Sequence, residues 1–331
     1  MRSPWKLLGV AWFFLAGACR AEDVIRVGYF PNLTHAVAMI GLERGFFANA
    51  LGPQAAIEPK AFNAGPAEME ALFAGAIDLG YIGPGPAITG FVRSKGKALR
   101  VVSGAATGGA SLIVRPDAGI ERAADLSGKR LASPQIGNTQ DVALRTYLRE
   151  AGLGTSDRGG TVTVLPVANP DILTLLASKQ IDGAWVPEPW ASVLRLQAGG
   201  RELVDERTLW PDGKFPTTVV VVSTGFLAAH RPLVAAWLRG QNEAIAWLNE
   251  NPTDAKRVVN EVIRRLTTRD IPSTVLDEAW GRLTFSSAVR VDAFDKMAKD
   301  AETLGYLPTT QVGGLFESDL EKGSPPSRSS P

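Results

Sequence analysis

"IDGAWVPEPWAS" (181–192) reads as a short apolar strand that runs into a proline-punctuated turn and then into a helix. "IDLGYIGPGPAI" (77–88) has the same outline earlier in the chain. With their flanks, "LFAGAIDLGYIGPGPA" (72–87) and "LLASKQIDGAWVPEPWA" (175–191) share a helix end, Ile-Asp, an aromatic three residues after the Asp, and Pro-x-Pro. Asp78 answers to Asp182 and Tyr81 to Trp185; with a one-residue gap, Pro84 and Pro86 answer to Pro187 and Pro189. In open α/β sheets, ligands bind outside the carboxyl ends of the strands. Two equivalent junctions therefore predict two lobes that face each other across one cleft.

The rest of the chain fits that plan. Short apolar runs alternate with amphipathic segments, the pattern of βα units on a mostly parallel sheet. "VIRVGYF" (24–30) predicts a first strand and 34–48 a helix. A second set follows, with Asn138 capping a helix over 138–153 and Asn169 capping one that opens on Pro170. "FPTTVVVVST" (215–224) predicts a buried strand, and from there to about 305 the chain reads as nearly all helical. These patterns predict a first lobe over 24–113 plus 224–316 and a second over 114–223.

At 331 residues the chain is long enough for two domains, and its 45% hydrophobic and 21% charged residues are those of a globular protein. Arg2 and Lys6 precede the apolar run "LLGVAWFFLAGA" (7–18), too short for a membrane span and suited to an export signal over 1–18. Ala16-Gly17-Ala18 is a small-residue cleavage site, and Cys19 follows it directly. As the single cysteine, Cys19 excludes an internal disulfide; lipidation of a new N-terminus explains it, against soluble export with Cys19 as a spectator. The formal net charge is +1, and loss of Arg2 and Lys6 leaves −1, no electrostatic footprint for nucleic acid or a membrane surface. The Ser/Pro-rich end predicts a disordered tail over 317–331.

Enzyme signatures are sparse. With two histidines and one cysteine, no zinc spacing is present, and neither a phosphate-binding Gly-x-x-x-x-Gly-Lys-Ser/Thr loop nor a Gly-x-Ser-x-Gly elbow occurs. No metal, cofactor or catalytic residue is predicted. Helix starts at strand ends are plentiful instead, and their free N–H groups suit an anion when several converge. "PNLTHA" (31–36) offers Asn32, Thr34 and His35, and "PQIGNTQ" (134–140) offers Asn138 and Thr139, each readable as a ligand contact or as helix capping. The Gly-rich "SGAATGGAS" (103–111) reads as a loop or a ligand contact. Trp185 and Trp190 flank Glu188, and with Tyr81 they predict an aromatic wall for an organic group. Glu188 takes an amine, holds the lobes together, or only starts a helix.

"RVGYFPNLTHAVAMIGLERGFF", "FNAGPAEMEALFAGAIDLGYIGPGPAI", "ASPQIGNTQDVALR" and "DGAWVPEPWAS" resemble the substrate-binding proteins of ABC importers in the aliphatic-sulfonate, nitrate and taurine group. The likeness runs from residue 24 to about 315. It implies an α/β, type II periplasmic-binding-protein-like fold: two lobes around a ligand cleft. It also implies a monomer outside the cytoplasm that binds a small anionic compound and delivers it to a membrane permease with its ATPase, touching the membrane only through a lipid on Cys19. Family contacts carry over to Asn32, Thr34 and His35, to Gly83 and Pro84, to Thr107 and Gly108, to Asn138, Thr139 and Gln140, and to Trp185 and Glu188. A buried Glu188 would repel a simple anion such as nitrate, so a zwitterion or larger organosulfonate suits it better. Two rival readings are an enzyme on the same fold, such as a pyrimidine-precursor synthase relative, and a sensory ligand-binding module.

Overall fold

The computed structural model describes residues 23–317 and Leu320. The predicted signal segment, Cys19 and the predicted tail beyond Glu317 lie outside the described residues, Leu320 apart. The strands are β1 Asp23–Tyr29, β2 Ala55–Ala61, β3 Leu79–Ile82, β4 Leu99–Gly108, β5 Ala110–Val114, β6 Arg130–Ser133, β7 Thr163–Pro166, β8 Gly183–Pro187, β9 Arg201–Asp205, β10 Pro216–Ser223 and β11 Leu283–Phe285. The helices are α1 Ala36–Glu43, α2 Phe46–Leu51, α3 Gly65–Phe73, α4 Pro84–Arg93, α5 Thr139–Glu150, α6 Asn169–Ala177, α7 Trp190–Ala198, α8 Thr224–Ala229, α9 Arg231–Glu250, α10 Pro252–Thr267, α11 Ser273–Trp280 and α12 Val291–Thr303.

Two sheets form. The first runs β2-β1-β3-β10-β4-β11 and the second β7-β6-β8-β5-β9. In each, three parallel strands adjoin an antiparallel strand from the far side of a crossing: β10 beside β3, and β5 beside β8. The two lobes therefore share one plan, with β1, β2 and β3 equivalent to β6, β7 and β8.

The valine run explains the centre of the first sheet. Along β10, Val220 packs into the cluster that holds Val37, Trp237 and Val259, while Val219 and Val221 pack into the one that holds Met69, Phe91 and Phe294. Successive side chains point to opposite faces, so a strand covered by helices on both faces must be apolar throughout. Each such valine contributes about 1.5–3 kcal/mol by leaving water.

Three details correct the sequence reading. The chain crosses between sheets at Gly108–Gly109 and again between Asp205 and Pro216, so β5 belongs to the second sheet and β10 to the first, not the lobes their segments were assigned. The first crossing is abrupt because both glycines hold left-handed φ values, 77° and 68°, which side chains resist. The helix expected over 34–48 is a 3-10 turn plus α1 and α2, parted at Gly45. Asn169 is not the cap of α6: Ala168 takes that place and Asn169 lies in the first turn.

Candidate ligand-binding cleft

The carboxyl ends of β1, β2 and β3 face those of β6, β7 and β8. Phe30, Asn32, Thr34 and His35 follow β1, Asn63 follows β2, and Gly83 follows β3. From the other lobe, Asn138 and Gln140 follow β6, Asn169 follows β7, and Pro187 ends β8. Together with Thr217 of β10 they line one small cavity between the lobes. Its lining holds no lysine, arginine, aspartate or glutamate.

Hydrogen bonds fix what several of these groups can offer. His35 is buried, its ring lies 4.3 Å from that of Phe30, and its Nδ1 accepts the Phe30 N–H at 3.3 Å. Burial lowers its pKa to about 3, so the ring is neutral and its single proton sits on Nε2. Asn32 Oδ1 accepts from Trp190 Nε1 at 2.7 Å, which leaves its N–H groups as the free end. Asn138 Oδ1 is taken by the Thr139 N–H at 2.6 Å, again leaving donors. Thr217 Oγ1 donates to the Gly108 carbonyl. Asn169 is the exception, because its Oδ1 is buried without a hydrogen-bond partner.

Asn32, Thr34, His35, Gly83, Asn138 and Gln140 are thus brought together around one cavity, as the sequence predicted. The others are placed elsewhere. Trp185 lies in the core of the second lobe, 5.7 Å from the Tyr147 ring, and its Nε1 donates to Glu206 Oε2 at 2.7 Å. Tyr81 is its counterpart in the first lobe: its hydroxyl donates to Gln241 Oε1 at 2.7 Å and receives Trp237 Nε1 at 3.2 Å. Neither builds an aromatic wall, because each lies inside a strand whose two faces are both packed into apolar clusters. The Glu188 carboxylate is consumed by its own helix start, accepting the Ser192 N–H and Oγ–H at 3.0 Å each, with Arg282 Nε 3.7 Å away. Burial raises its pKa to about 7. Pro84 opens α4 behind Gly83. Thr107 and Gly108 sit at the crossing beside Arg207 and Arg282, on a separate depression. Thr139 turns its hydroxyl to the other lobe, where Oγ1 accepts the Gly85 N–H at 3.2 Å.

Asn63, Asn169 and Thr217 line the cavity without having been singled out for it from the sequence. Asn63 stands between a strand end and a helix start and Asn169 opens the helix after one, the same grammar that flagged Asn32 and Asn138. Thr217 had no local signal, since it reaches the cleft only through the second crossing.

The lobes are closed on each other. The Leu33 N–H donates to the Glu188 carbonyl at 3.0 Å, beside the Asn32–Trp190 bond. Tyr306 Oη donates to Asp141 Oδ2 at 3.0 Å. Arg282 Nη1 and Nη2 grip Glu202 at 2.6 and 3.0 Å. A Cβ on Gly83 would overlap Thr139 Oγ1, so a larger residue there must displace that hydroxyl or part the lobes.

Comparison with known proteins agrees with this architecture. The model of the NMT1-like family matches residues 21–264, and the chain belongs to that family. A Brucella abortus (strain 2308) protein named only as a binding protein is 28% identical over 261 residues, covering 78% of this chain and 71% of its own length. The taurine-binding periplasmic protein of Escherichia coli (strain K12) is 25% identical over 190 residues, 57% of each chain. The fold matches the alkanesulfonate-binding protein SsuA of Xanthomonas axonopodis pv. citri, solved with MOPS, at a TM-score of 0.73 and 22% identity, over 88% of this chain and 96% of that one. The fold is that of the solute-binding proteins of ABC importers, two α/β lobes around a cleft.

Proposed function

We propose that this member of the NMT1-like family is an extracytoplasmic solute-binding protein of an ABC importer. It holds a small anionic organic compound, an aliphatic sulfonate or a taurine-like relative, in the interlobe cleft. It then delivers that solute to a permease and its ATPase as a monomer, with any membrane attachment made through Cys19. The solute-binding role rests on the kinship with named binding proteins. The observation that carries the ligand class is the cavity itself: no carboxylate lines it, His35 has its Nε2–H to give, and Asn32 and Asn138, each with an oxygen already engaged, have their amide N–H groups to give.

Such a site suits an anion without a counter-ion. Stripping water from an anion is costly, and a hydrogen bond to a charged group returns about 1.5–3 kcal/mol. Several must converge, and the starts of α4, α5 and α6 add their partial positive charge at the same place.

Calorimetric titration of the purified protein with ethanesulfonate, taurine, nitrate and a thiamine-precursor pyrimidine tests this reading. A sulfonate is expected to bind best; if neither sulfonate binds more tightly than about 1 mM, equivalent to roughly 4 kcal/mol, the ligand class is wrong. In the same titration Gly83→Ala is expected to weaken binding by about 1–3 kcal/mol at little cost to the melting temperature. The added methyl collides only across the lobes, where overpacking falls on the closed form.

A further inference from the structure

The order of strands spreads the cavity's polar groups along a line. Gly83 and Pro187 stand over the central strands β3 and β8. Asn32, His35 and Asn138 stand over the next strands out, β1 and β6, and Asn63 and Asn169 over the outermost, β2 and β7. The available N–H donors of Asn32, His35 and Asn138 therefore cluster over β1 and β6. The orphaned acceptor, Asn169 Oδ1, belongs to the outer end, about 4.8 Å further along, one strand spacing.

Asn169 is 4% exposed and its Oδ1 has no partner among the described residues, and leaving a buried acceptor unmade is costly. A group on the ligand that donates there removes the cost. That group carries no charge, on two grounds. The cavity lining holds no carboxylate to balance an ammonium, and Asn169 lies in the first turn of α6, where the helix dipole repels cations.

We propose that Asn169 is a specificity residue of the cleft. It selects, among short sulfonates, those bearing an uncharged donor, a hydroxyl or a neutral N–H, about two carbons from the anionic head. This rests on the sulfonate reading given above and narrows it: plain alkanesulfonates leave Asn169 Oδ1 unmade, and taurine brings a cation to a site without a counter-charge.

Calorimetric titration with 2-hydroxyethanesulfonate, ethanesulfonate and taurine, on the wild type and on Asn169→Asp, tests it. The wild type is expected to bind the hydroxy compound at least about tenfold more tightly than either of the others, the worth of one buried hydrogen bond. Asn169→Asp keeps the shape, suits a first helical turn, and is expected to reverse the order in favour of taurine. Equal binding of ethanesulfonate and the hydroxy compound overturns the proposal and leaves the sulfonate reading standing, as does taurine binding most tightly to the wild type. A preference that Asn169→Asp fails to change overturns the role of Asn169. If none of the three binds below about 1 mM, the sulfonate reading falls and this proposal with it.

Discussion

The β3–α4 and β8–α7 junctions agree at their bases and part at their tips. At the base, Asp78 and Asp182 make the same contacts. Each backbone N–H donates to the carbonyl of an arginine that precedes or begins the apolar part of the adjacent parallel strand, Arg26 or Arg130, at 2.8 and 2.7 Å. Each carboxylate accepts that arginine's own N–H at 2.9 Å. Two residues on, the lobes diverge. Gly28 pairs with Gly80 in the first sheet where Ala132 pairs with Ala184 in the second. The glycines make room for the carboxyl of Glu68, which lies where a Cβ of either would stand. At the tips, Gly83 admits Thr139 from the other lobe, while Glu188 closes its own helix start and reaches Arg282. Repetition thus governs strand register, and the residues that depart from it set what each junction does.

The aromatic position offers the largest test, because Tyr81 and Trp185 are equivalent and both wholly buried. Trp185→Ala is expected to cost about 3–5 kcal/mol in urea unfolding of the ligand-free protein, the range for emptying a large core site. Trp185→Phe keeps most of the volume but strips Glu206 of its indole donor, and about 1–3 kcal/mol is expected. Weakened ligand binding at unchanged stability would put Trp185 in the cleft and break the equivalence.

Much of this was legible in the sequence, and the boundary of legibility is physical. The paired Ile-Asp stretches, the valine run and the Asn138 cap are local signals, and each corresponds to an observed element. The cleft residues that follow strand ends, Asn32, His35, Gly83 and Asn138, could be named because α/β topology sends every such end to one side. Which way a side chain turns at a strand end could not be read. Trp185 lies two residues before Pro187 and Glu188 directly after it, and both side chains are spent on partners outside the cavity. Nor could the crossings be placed, since "SLIVR" and the valine run look alike as buried strands whichever sheet receives them.

Glu68 gives the second test. It is an acid in the first turn of α3, a place that reads as solvent-facing, yet it is 1% exposed and both oxygens lack a partner. Burial holds its pKa well above the ordinary 4.5. Below that range both folded and unfolded chains are protonated there. As pH rises through it, the unfolded chain releases the proton and the folded one keeps it, so stability falls with rising pH. Glu188 and Glu206, each raised to about 7 by burial, act in the same direction between about 4.5 and 7. Glu68→Met is expected to stabilise by about 1–3 kcal/mol and to flatten the decline between pH 5 and 8, read from urea midpoints across that range. A loss of stability with an unchanged pH slope would mean that the glycine pair serves backbone packing alone.

The smallest test addresses the agreement itself. Asp78 pairs with Arg26, with Nε at 2.9 Å and Nη2 at 2.7 Å, whereas Asp182 takes its guanidinium from Arg115, with Nη2 at 2.9 Å. An asparagine at either site keeps an oxygen for the strand N–H and loses the ionic attraction. The Arg26 side chain is 36% exposed and that of Arg115 14%, while those of Asp78 and Asp182 are 8% and 19% exposed, so water screens the cation more in the first pair and the carboxylate more in the second. Each asparagine is expected to cost about 0.2–1 kcal/mol in urea unfolding, within the span of partly exposed ion pairs, and Asp78→Asn the more, because Asp78 loses two guanidinium bonds to Asp182's one. Added salt should narrow the gap, because the difference is electrostatic. If the two losses are equal and salt leaves both unchanged, the carboxylates act only as hydrogen-bond acceptors that register one strand against the next.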